Sequence, residues 1–297
     1  MIPDIPAHAP FCAAPDPSPK APRQILPDLA CDSHVHICGP LSRYDYAAER
    51  IYTPPDSLLV DYMHLSKVLG LQRVIFIQPS IYGTDNSAML DAMHECPIEN
   101  RGVAVVDESV SDAELKKLDH IGIRGIRFNL IDVKNKTSQL PIEYIRRLAE
   151  KIHSLGWHVE LLIHVDDYPD LERQLNTIPT DVVVSHLGYF RPHRNTNDKG
   201  FQGLLRLMQR GRVWTKLTGP YRVSTDPLPY PSVDIFAKHL VQEAPERIVW
   251  GSDWPHVMVK GNMPNDGDLL DLLFDWVPDA TKREKILVDN AAELYNL

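Results

Sequence analysis

The stretch Cys31-Asp32-Ser33-His34-Val35-His36-Ile37 is the most informative feature of this chain. Alternate side chains of a β-strand point to the same face, so we expect the imidazoles of His34 and His36 to converge. Two convergent imidazoles are typical of a metal site or of proton transfer, but such a pair also occurs as two ordinary half-buried histidines bonded to backbone groups. Other features of the sequence are needed to distinguish a functional site from two ordinary histidines.

Beyond residue 30, apolar runs that resemble strands alternate with segments that resemble helices. The strand-like runs are 31–37, 73–79, 102–106, 124–129, 157–164, 181–186, 213–218 and 247–253. The helix-like segments lie near 56–69, 84–95, 111–119, 141–154, 167–177, 199–209, 231–243 and 266–276, with a helical tail at 280–295. Strands that alternate with helices imply parallel pairing, and eight such units predict a (β/α)8 TIM barrel.

Three of the later strand-like runs end on a titratable residue, at His164, His186 and Asp253. Catalytic groups of TIM barrels lie at the carboxyl ends of the strands. We therefore expect these residues to form one site with His34 and His36.

Length, composition and charge limit the class of protein. The chain has 297 residues, a net charge of -9 and a pI near 5.8, which argues against nucleic acid as a partner. We expect residues 1–28, which hold eight prolines, to form an extended arm, and residues 29–297 to form one barrel domain. The arm is long enough to reach a second copy of the chain, so a homo-oligomer is one expectation.

The sequence contains neither a signal peptide nor an apolar run long enough to span a bilayer, so we expect no membrane association. Its four cysteines show no metal-binding spacing and are expected to be free thiols. Together these features predict a cytoplasmic protein.

Three imidazoles and a carboxylate match the nitrogen and oxygen ligands of catalytic zinc. We expect His34, His36, His164 and Asp253 to be the ligands, with His186 and Asp253 acting on a water molecule. Each histidine has a simpler interpretation as a strand-end residue bonded to a backbone carbonyl.

Five segments of the chain resemble the amidohydrolase superfamily, and within it the branch of 2-pyrone-4,6-dicarboxylate lactonases and related lactone-processing enzymes. The segments are Asp32-Ser33-His34-Val35-His36, Gly83-Thr84-Asp85-Asn86, Gly122-Ile123-Arg124-Gly125-Ile126-Arg127-Phe128-Asn129, Ser185-His186-Leu187-Gly188 and Trp250-Gly251-Ser252-Asp253-Trp254-Pro255-His256. The resemblance implies hydrolysis or isomerisation of a lactone, with Asp253 activating water and the histidines of strands 1 and 6 polarising the carbonyl. It further implies that Arg127 and Arg222 bind a substrate carboxylate or sulfonate.

The chain departs from the dicarboxylate lactonase pattern at several positions. It has Gly188-Tyr189-Phe190 where that pattern has Gly-Arg-Pro, Val133 or a neighbour where an arginine is expected, and Leu162 where a tyrosine is expected. These departures favour a lactone of the muconolactone or sulfomuconolactone type over the pyrone dicarboxylate. His164 favours zinc. The dicarboxylate lactonases resemble metal-independent enzymes, so a metal-independent mechanism is the alternative.

The leading hypothesis is therefore a hydrolase that opens a small anionic lactone during the degradation of aromatic compounds. The alternatives are a pyrone dicarboxylate lactonase and an isomerase of aldaric acid lactones of the galactarolactone type, in which Asn129, Tyr189 and His256 would bind hydroxyl groups. Two further alternatives are a zinc-dependent decarboxylase of a semialdehyde acid and a binding barrel without catalytic activity.

Overall fold

The eight predicted strands form one parallel sheet. The computed structural model describes residues 9–132 and 139–297. The strands are Cys31–Val35 (β1), Arg73–Ile77 (β2), Glu99–Ala104 (β3), Ile123–Asn129 (β4), His158–Leu162 (β5), Val182–Val184 (β6), Val213–Leu217 (β7) and Ile248–Trp250 (β8). Their order in the sheet is their order in the chain, and each strand pairs in parallel with the next.

The loop after β8 joins the last strand to the first. The backbone N–H of Asp253 donates to the carbonyl of His34 at 3.0 Å, and that of His36 donates to the carbonyl of Trp254 at 2.9 Å. Gly251 permits this approach, because a Cβ at that position would lie 2.8 Å from the backbone nitrogen of His34. The predicted (β/α)8 TIM barrel is confirmed.

Helices follow the strands around the outside of the barrel. They are Leu59–Leu69 (α1), Ser87–Glu95 (α2), Asp112–Ile121 (α3), Ile142–Ile152 (α4), Leu171–Leu175 (α5), Lys199–Gln209 (α6), Pro220–Val223 (α7), Pro231–Glu243 (α8), Asp266–Trp276 (α9), Ala280–Glu284 (α10) and Asn290–Tyr295 (α11). A π-helical turn, Lys285–Asp289, joins the last two, so the predicted helical tail is present. At the start of α3, the Ser111 hydroxyl accepts from the Glu114 N–H and the Glu114 carboxylate accepts from the Ser111 N–H.

The sequence overestimates the length of most strands at their carboxyl ends. His36, His164, His186 and Asp253 each lie one to three residues beyond a strand rather than within it. The apolar runs continue because the loops that leave the barrel are themselves buried, as at Ile163. The sequence also gives no prediction of the short helix α7, in which Arg222 lies.

The described part of the proline-rich arm, residues 9–28, runs over the barrel with an isolated bridge at Phe11 and without a helix. The N–H of Cys12 donates to the carbonyl of Thr53 at 2.9 Å, and the N–H of Lys20 donates to Asn265 Oδ1 at 2.9 Å. These contacts tie the arm to the loop before α1 and to the start of α9. All four cysteines are free, as expected.

Among the helices of residues 9–132 and 139–297, none is both long and apolar enough to cross a membrane.

Candidate active site

Asp253 is the centre of the group at the carboxyl end of the barrel. Its Oδ2 accepts hydrogen bonds from the Tyr221 hydroxyl and from Arg222 Nε, both at 2.6 Å. Its Oδ1 is buried and has no hydrogen-bond partner among the described residues. Three imidazole Nε2 atoms lie near Oδ1, at 3.7 Å for His34, 4.0 Å for His36 and 4.0 Å for His186.

The elements around Asp253 explain this arrangement. Asp253 itself has a φ of 66°, in the left-handed region, and this turns its side chain back over the end of the barrel. Gly219 has a φ of 60°, and a Cβ there would lie 3.0 Å from His186 Nδ1 and 3.1 Å from Asp253 Oδ2. The glycine therefore allows α7 to bring its tyrosine and arginine against the carboxylate.

The partners of the two strand 1 histidines give them opposite tautomers. His36 Nδ1 lies 2.7 Å from the carbonyl of Ile77, which can only accept, so Nδ1 carries the hydrogen and Nε2 has the free lone pair. His34 Nδ1 lies 3.1 Å from the Lys216 ammonium, which can only donate, so Nδ1 accepts and Nε2 carries the hydrogen. The site therefore presents one hydrogen-bond donor and one acceptor from the His-Val-His motif.

Burial determines the protonation states of the histidines. It lowers the pKa of His36 to about 4 and the pKa of His186 to about 3, and it holds the pKa of His34 well below its ordinary value. Burial raises the pKa of Asp253, but the positive charge of Arg222 outweighs this and holds it below the ordinary value. At neutral pH the three imidazoles are uncharged and Asp253 is ionised.

The ligand atoms of His34, His36 and Asp253 lie within 4.8 Å of one another, so the group could hold a metal ion as far as spacing is concerned. Two of the candidate ligand atoms, His34 Nε2 and Asp253 Oδ1, have no hydrogen-bond partner among the described residues. The position of the His34 hydrogen does not fit, because a metal binds the unprotonated nitrogen of a neutral imidazole. We therefore derive no catalytic step through a metal ion.

His164 does not join this group of three. Its Nδ1 lies 2.5 Å from the carbonyl of Tyr189, and its ring is 4.7 Å from the Tyr189 ring. The Tyr189 ring also lies 5.6 Å from that of His186, so the tyrosine is next to both histidines. Tyr189 thus lies beside the site, while its role in substrate binding and the role of His164 as a ligand stay predictions.

The two predicted anion-binding arginines have different surroundings. Arg127 is buried, its Nη1 donates to the carbonyl of Gln78 at 2.8 Å, and its Nε has no partner among the described residues. Arg222 uses Nε for Asp253 and Nη2 for the carbonyl of Val257 at 3.2 Å. Arg127 therefore retains a free donor, whereas much of the Arg222 guanidinium is engaged by the protein.

Two predicted hydroxyl-binding residues have their polar atoms engaged. Asn129 accepts the N–H groups of Ile131 and Asp132 and so closes the turn after β4. His256 contacts the Tyr221 hydroxyl through Nδ1 at 2.9 Å and Asp266 Oδ1 through Nε2 at 2.9 Å. Val133, which stands at or near the position where the dicarboxylate lactonase pattern has an arginine, lies outside the described residues.

Sequence reasoning missed three residues that contact the site. Tyr221 bonds Asp253, and the buried pair Lys216 and Glu160 lies under His34, with Lys216 Nζ 2.7 Å from Glu160 Oε2. A signal for the pair was present, because each is a charged residue inside an apolar strand, where charges are rarely buried unless paired.

The comparisons agree with this geometry. The amidohydrolase family model matches residues 31–297. The chain belongs to the amidohydrolase family. Curated relatives have a lactone or a pyrone as their named substrate, and solved structures match almost the whole fold.

The first relative, 2-pyrone-4,6-dicarboxylate hydrolase of Comamonas testosteroni, is 37% identical over 94% of this chain and 93% of its own. The 4-sulfomuconolactone hydrolase of Rhizobium radiobacter is 34% identical over 100% of both chains. The D-galactarolactone isomerase of Agrobacterium fabrum is 30% identical over 94% of this chain and 95% of its own. An apo crystal structure from Agrobacterium tumefaciens is 29% identical, with a TM-score of 0.85 over 93% of this chain and 98% of that chain.

Proposed function

We propose that this protein hydrolyses a small anionic lactone, of the muconolactone or sulfomuconolactone type, to a ring-opened acid. The observation that carries this proposal concerns Asp253 Oδ1, which is buried and has no hydrogen-bond partner within residues 9–132 and 139–297. Three imidazole Nε2 atoms face it. A carboxylate oxygen in that position can accept the proton of a water molecule, and an imidazole N–H beside it can stabilise negative charge on a carbonyl oxygen. The named substrates of the relatives add support.

The hydrogen positions assign roles to the strand 1 histidines. His34 Nε2–H donates to the lactone carbonyl oxygen, on which negative charge develops when water attacks the carbonyl carbon. The water proton passes to Asp253 Oδ1, and the unprotonated Nε2 of His36 orients the water by accepting its other hydrogen. His186, whose Nε2 lies 4.0 Å from the same Oδ1, remains a proposed catalytic residue beside that water. When the tetrahedral intermediate collapses, the ring C–O bond breaks and the leaving oxygen takes the proton from Asp253.

Arg127 is the group that we propose for the substrate anion. Its charge lowers the pKa of both His36 and His186, which places it close to the reacting centre, and its Nε is free of protein partners among the described residues. Arg222 supports the anion only through the part of its guanidinium that Asp253 and Val257 leave available. We propose that its first role is to orient the carboxylate.

Zinc is the cofactor that the sequence predicts for this group, with a metal-independent mechanism as the alternative. The close spacing of the His34, His36 and Asp253 ligand atoms supports zinc. The contact between Lys216 and His34 supports the alternative, which we adopt in this proposal. Elemental analysis of the purified protein, with turnover measured before and after chelation, separates the two.

A lactone isomerase is the second candidate, favoured by the similarity to D-galactarolactone isomerase over nearly the full chain. An isomerase would pass the acyl group between hydroxyls of a sugar acid without net hydrolysis. Pyrone dicarboxylate hydrolysis is the third candidate, favoured by the 37% identity to that hydrolase.

The test is turnover of a panel that contains a muconolactone, 4-sulfomuconolactone, 2-pyrone-4,6-dicarboxylate and galactarolactone. Net acid release from the muconolactones supports the proposal, and conversion of galactarolactone without acid release supports the isomerase. If every member of the panel remains unchanged, the proposed function is wrong. Asp253→Asn protein serves as the blank, because it replaces the ionised carboxylate by a neutral amide of nearly the same shape.

A further inference from the structure

Lys216 lies inside the barrel on β7, at 0% exposure, beneath the proposed reacting centre. Its Nζ lies 2.7 Å from Glu160 Oε2, 2.9 Å from the carbonyl of Ser33 and 3.1 Å from His34 Nδ1. The contact with Glu160 is an ion pair, and the other two contacts place hydrogen-bond acceptors beside the ammonium group. The proposed mechanism does not otherwise use this lysine.

Glu160 requires that Lys216 be charged. Its side chain on β5 is also 0% exposed, and its Oε1 accepts from the Ser185 hydroxyl at 3.0 Å. A buried carboxylate without a cation beside it loses solvation that nothing replaces. Burial lowers the pKa of Lys216, and the Glu160 carboxylate opposes this shift. In the ion pair, the ammonium has no lone pair with which to accept a hydrogen from His34 Nδ1.

Glu160 is also the nearest alternative partner for His34. Its Oε1 lies 3.6 Å from His34 Nδ1, just beyond hydrogen-bonding distance. If Lys216 were absent, this oxygen could accept a hydrogen from Nδ1. A carboxylate that accepts from one nitrogen of a histidine is the usual support for metal binding through the other nitrogen.

We propose that the Lys216–Glu160 pair is a positioning device that holds His34 as its Nε2–H tautomer, so that His34 is a hydrogen-bond donor rather than a metal ligand. The donation of this hydrogen to a lactone carbonyl rests on the proposed function, but the tautomer does not. Replacing Lys216 then has a specific consequence. The hydrogen moves to Nδ1, and the Nε2 lone pair joins His36 Nε2 and Asp253 Oδ1 as a third metal donor.

The direct test is NMR of protein labelled with ¹⁵N-histidine, using two-bond proton–nitrogen correlations and side-chain-to-backbone assignment of His34. The wild-type protein is expected to show a protonated Nε2 and an unprotonated Nδ1 at His34, and the reverse at His36. A protonated Nδ1 at His34 in the wild-type protein overturns the inference without any variant. No lactone is needed, so this result is independent of whether the proposed function is correct.

Lys216→Met provides the second readout. The variant is expected to reverse the His34 tautomer and to gain one zinc ion per chain in calorimetric titration with the metal alone, while the wild-type protein binds none stoichiometrically. An unchanged tautomer in the folded variant overturns the inference. Lys238→Met is the matched control, because Lys238 is exposed on α8 and pairs only with Asp234 at 3.1 Å among the described residues.

A purely structural role for Lys216 would lower stability without moving the tautomer. If Lys216→Met does not fold because Glu160 is left unpaired, Lys216→Met with Glu160→Gln removes both charges, and its zinc affinity is expected to exceed that of the wild-type protein. On an active lactone, folded Lys216→Met freed of metal is expected to lose roughly 10²–10³-fold in kcat, the usual loss for one oxyanion donor, with KM changed far less. A KM change with kcat intact would contradict a role in positioning His34.

Discussion

The pairing of Asp253 with Arg222 allows catalytic and structural effects to be separated by one pair of substitutions. Asp253→Asn removes the proposed proton acceptor, and general base catalysis contributes roughly 10²–10⁴-fold to a rate, so kcat on an active lactone should fall by that factor. The substitution also leaves Arg222, with a side chain only 9% exposed, without its carboxylate partner at 2.6 Å. Breaking a buried ion pair from one side costs about 3–5 kcal/mol of unfolding free energy.

The double variant Asp253→Asn with Arg222→Met removes both charges and should recover most of that stability, while kcat remains as low as in the single variant. Thermal unfolding measures the first effect, and a loss of about 3–5 kcal/mol in a protein of this size lowers Tm by roughly 5–8 °C. Initial rates of lactone opening measure the second effect. If the single variant retains activity within tenfold of the wild-type protein, Asp253 is not the base. If the double variant is no more stable than the single variant, the unpaired charge of Arg222 is not the cause of the lost stability.

Three further substitutions test other residues of the proposed active site. Tyr221→Phe removes a buried hydrogen bond to Asp253, and this loss should lower the free energy of unfolding in urea by about 1.5–3 kcal/mol. It should also raise the pKa of Asp253, so that the acid limb of the pH–rate profile moves to higher pH. Burial lowers the pKa of His256, but the carboxylate of Asp266 outweighs this effect and raises the pKa above its ordinary value. The pair of His256 and Asp266 therefore contributes its full stability below the unfolded pKa of about 6.5. This contribution is lost as the pH rises through the folded pKa of His256. His256→Gln should flatten that part of the stability–pH curve, and an unchanged slope would contradict the assignment. Arg127→Met should raise KM roughly 10–100-fold for an anionic lactone with a smaller change in kcat, and an equal loss for an uncharged lactone would show that Arg127 does not bind the anion.

The barrel and the main members of the site could be predicted because they follow from local patterns. The alternation of apolar runs with helical segments determines parallel pairing, and the strand ends then bring His34, His36, His186 and Asp253 together. Strand ends were less predictable, since residues such as Ile163 are buried in the loops and continue the apolar pattern.

The parts that could not be predicted depend on contacts across the fold. Helix α7 has four residues, too few for a periodic pattern, yet it carries both groups that bond Asp253 Oδ2. Lys216 and Glu160 lie on β7 and β5, and their contact with His34 on β1 requires the closed barrel. The contact between His256 and Asp266 likewise depends on where α9 returns to the barrel. The sequence places residues at strand ends, but the tautomers and charge pairs that determine their chemistry depend on these distant contacts.

The most direct test of the account is hydrolysis of 4-sulfomuconolactone or a related muconolactone in ¹⁸O-labelled water, with the product examined by mass spectrometry and the acid release titrated. The account predicts a ring-opened acid with one ¹⁸O atom in the new carboxylate, released by chelator-treated protein at the untreated rate and not by Asp253→Asn protein. A product without ¹⁸O, or a reaction that stops when metal is removed and returns when zinc is added, would contradict it.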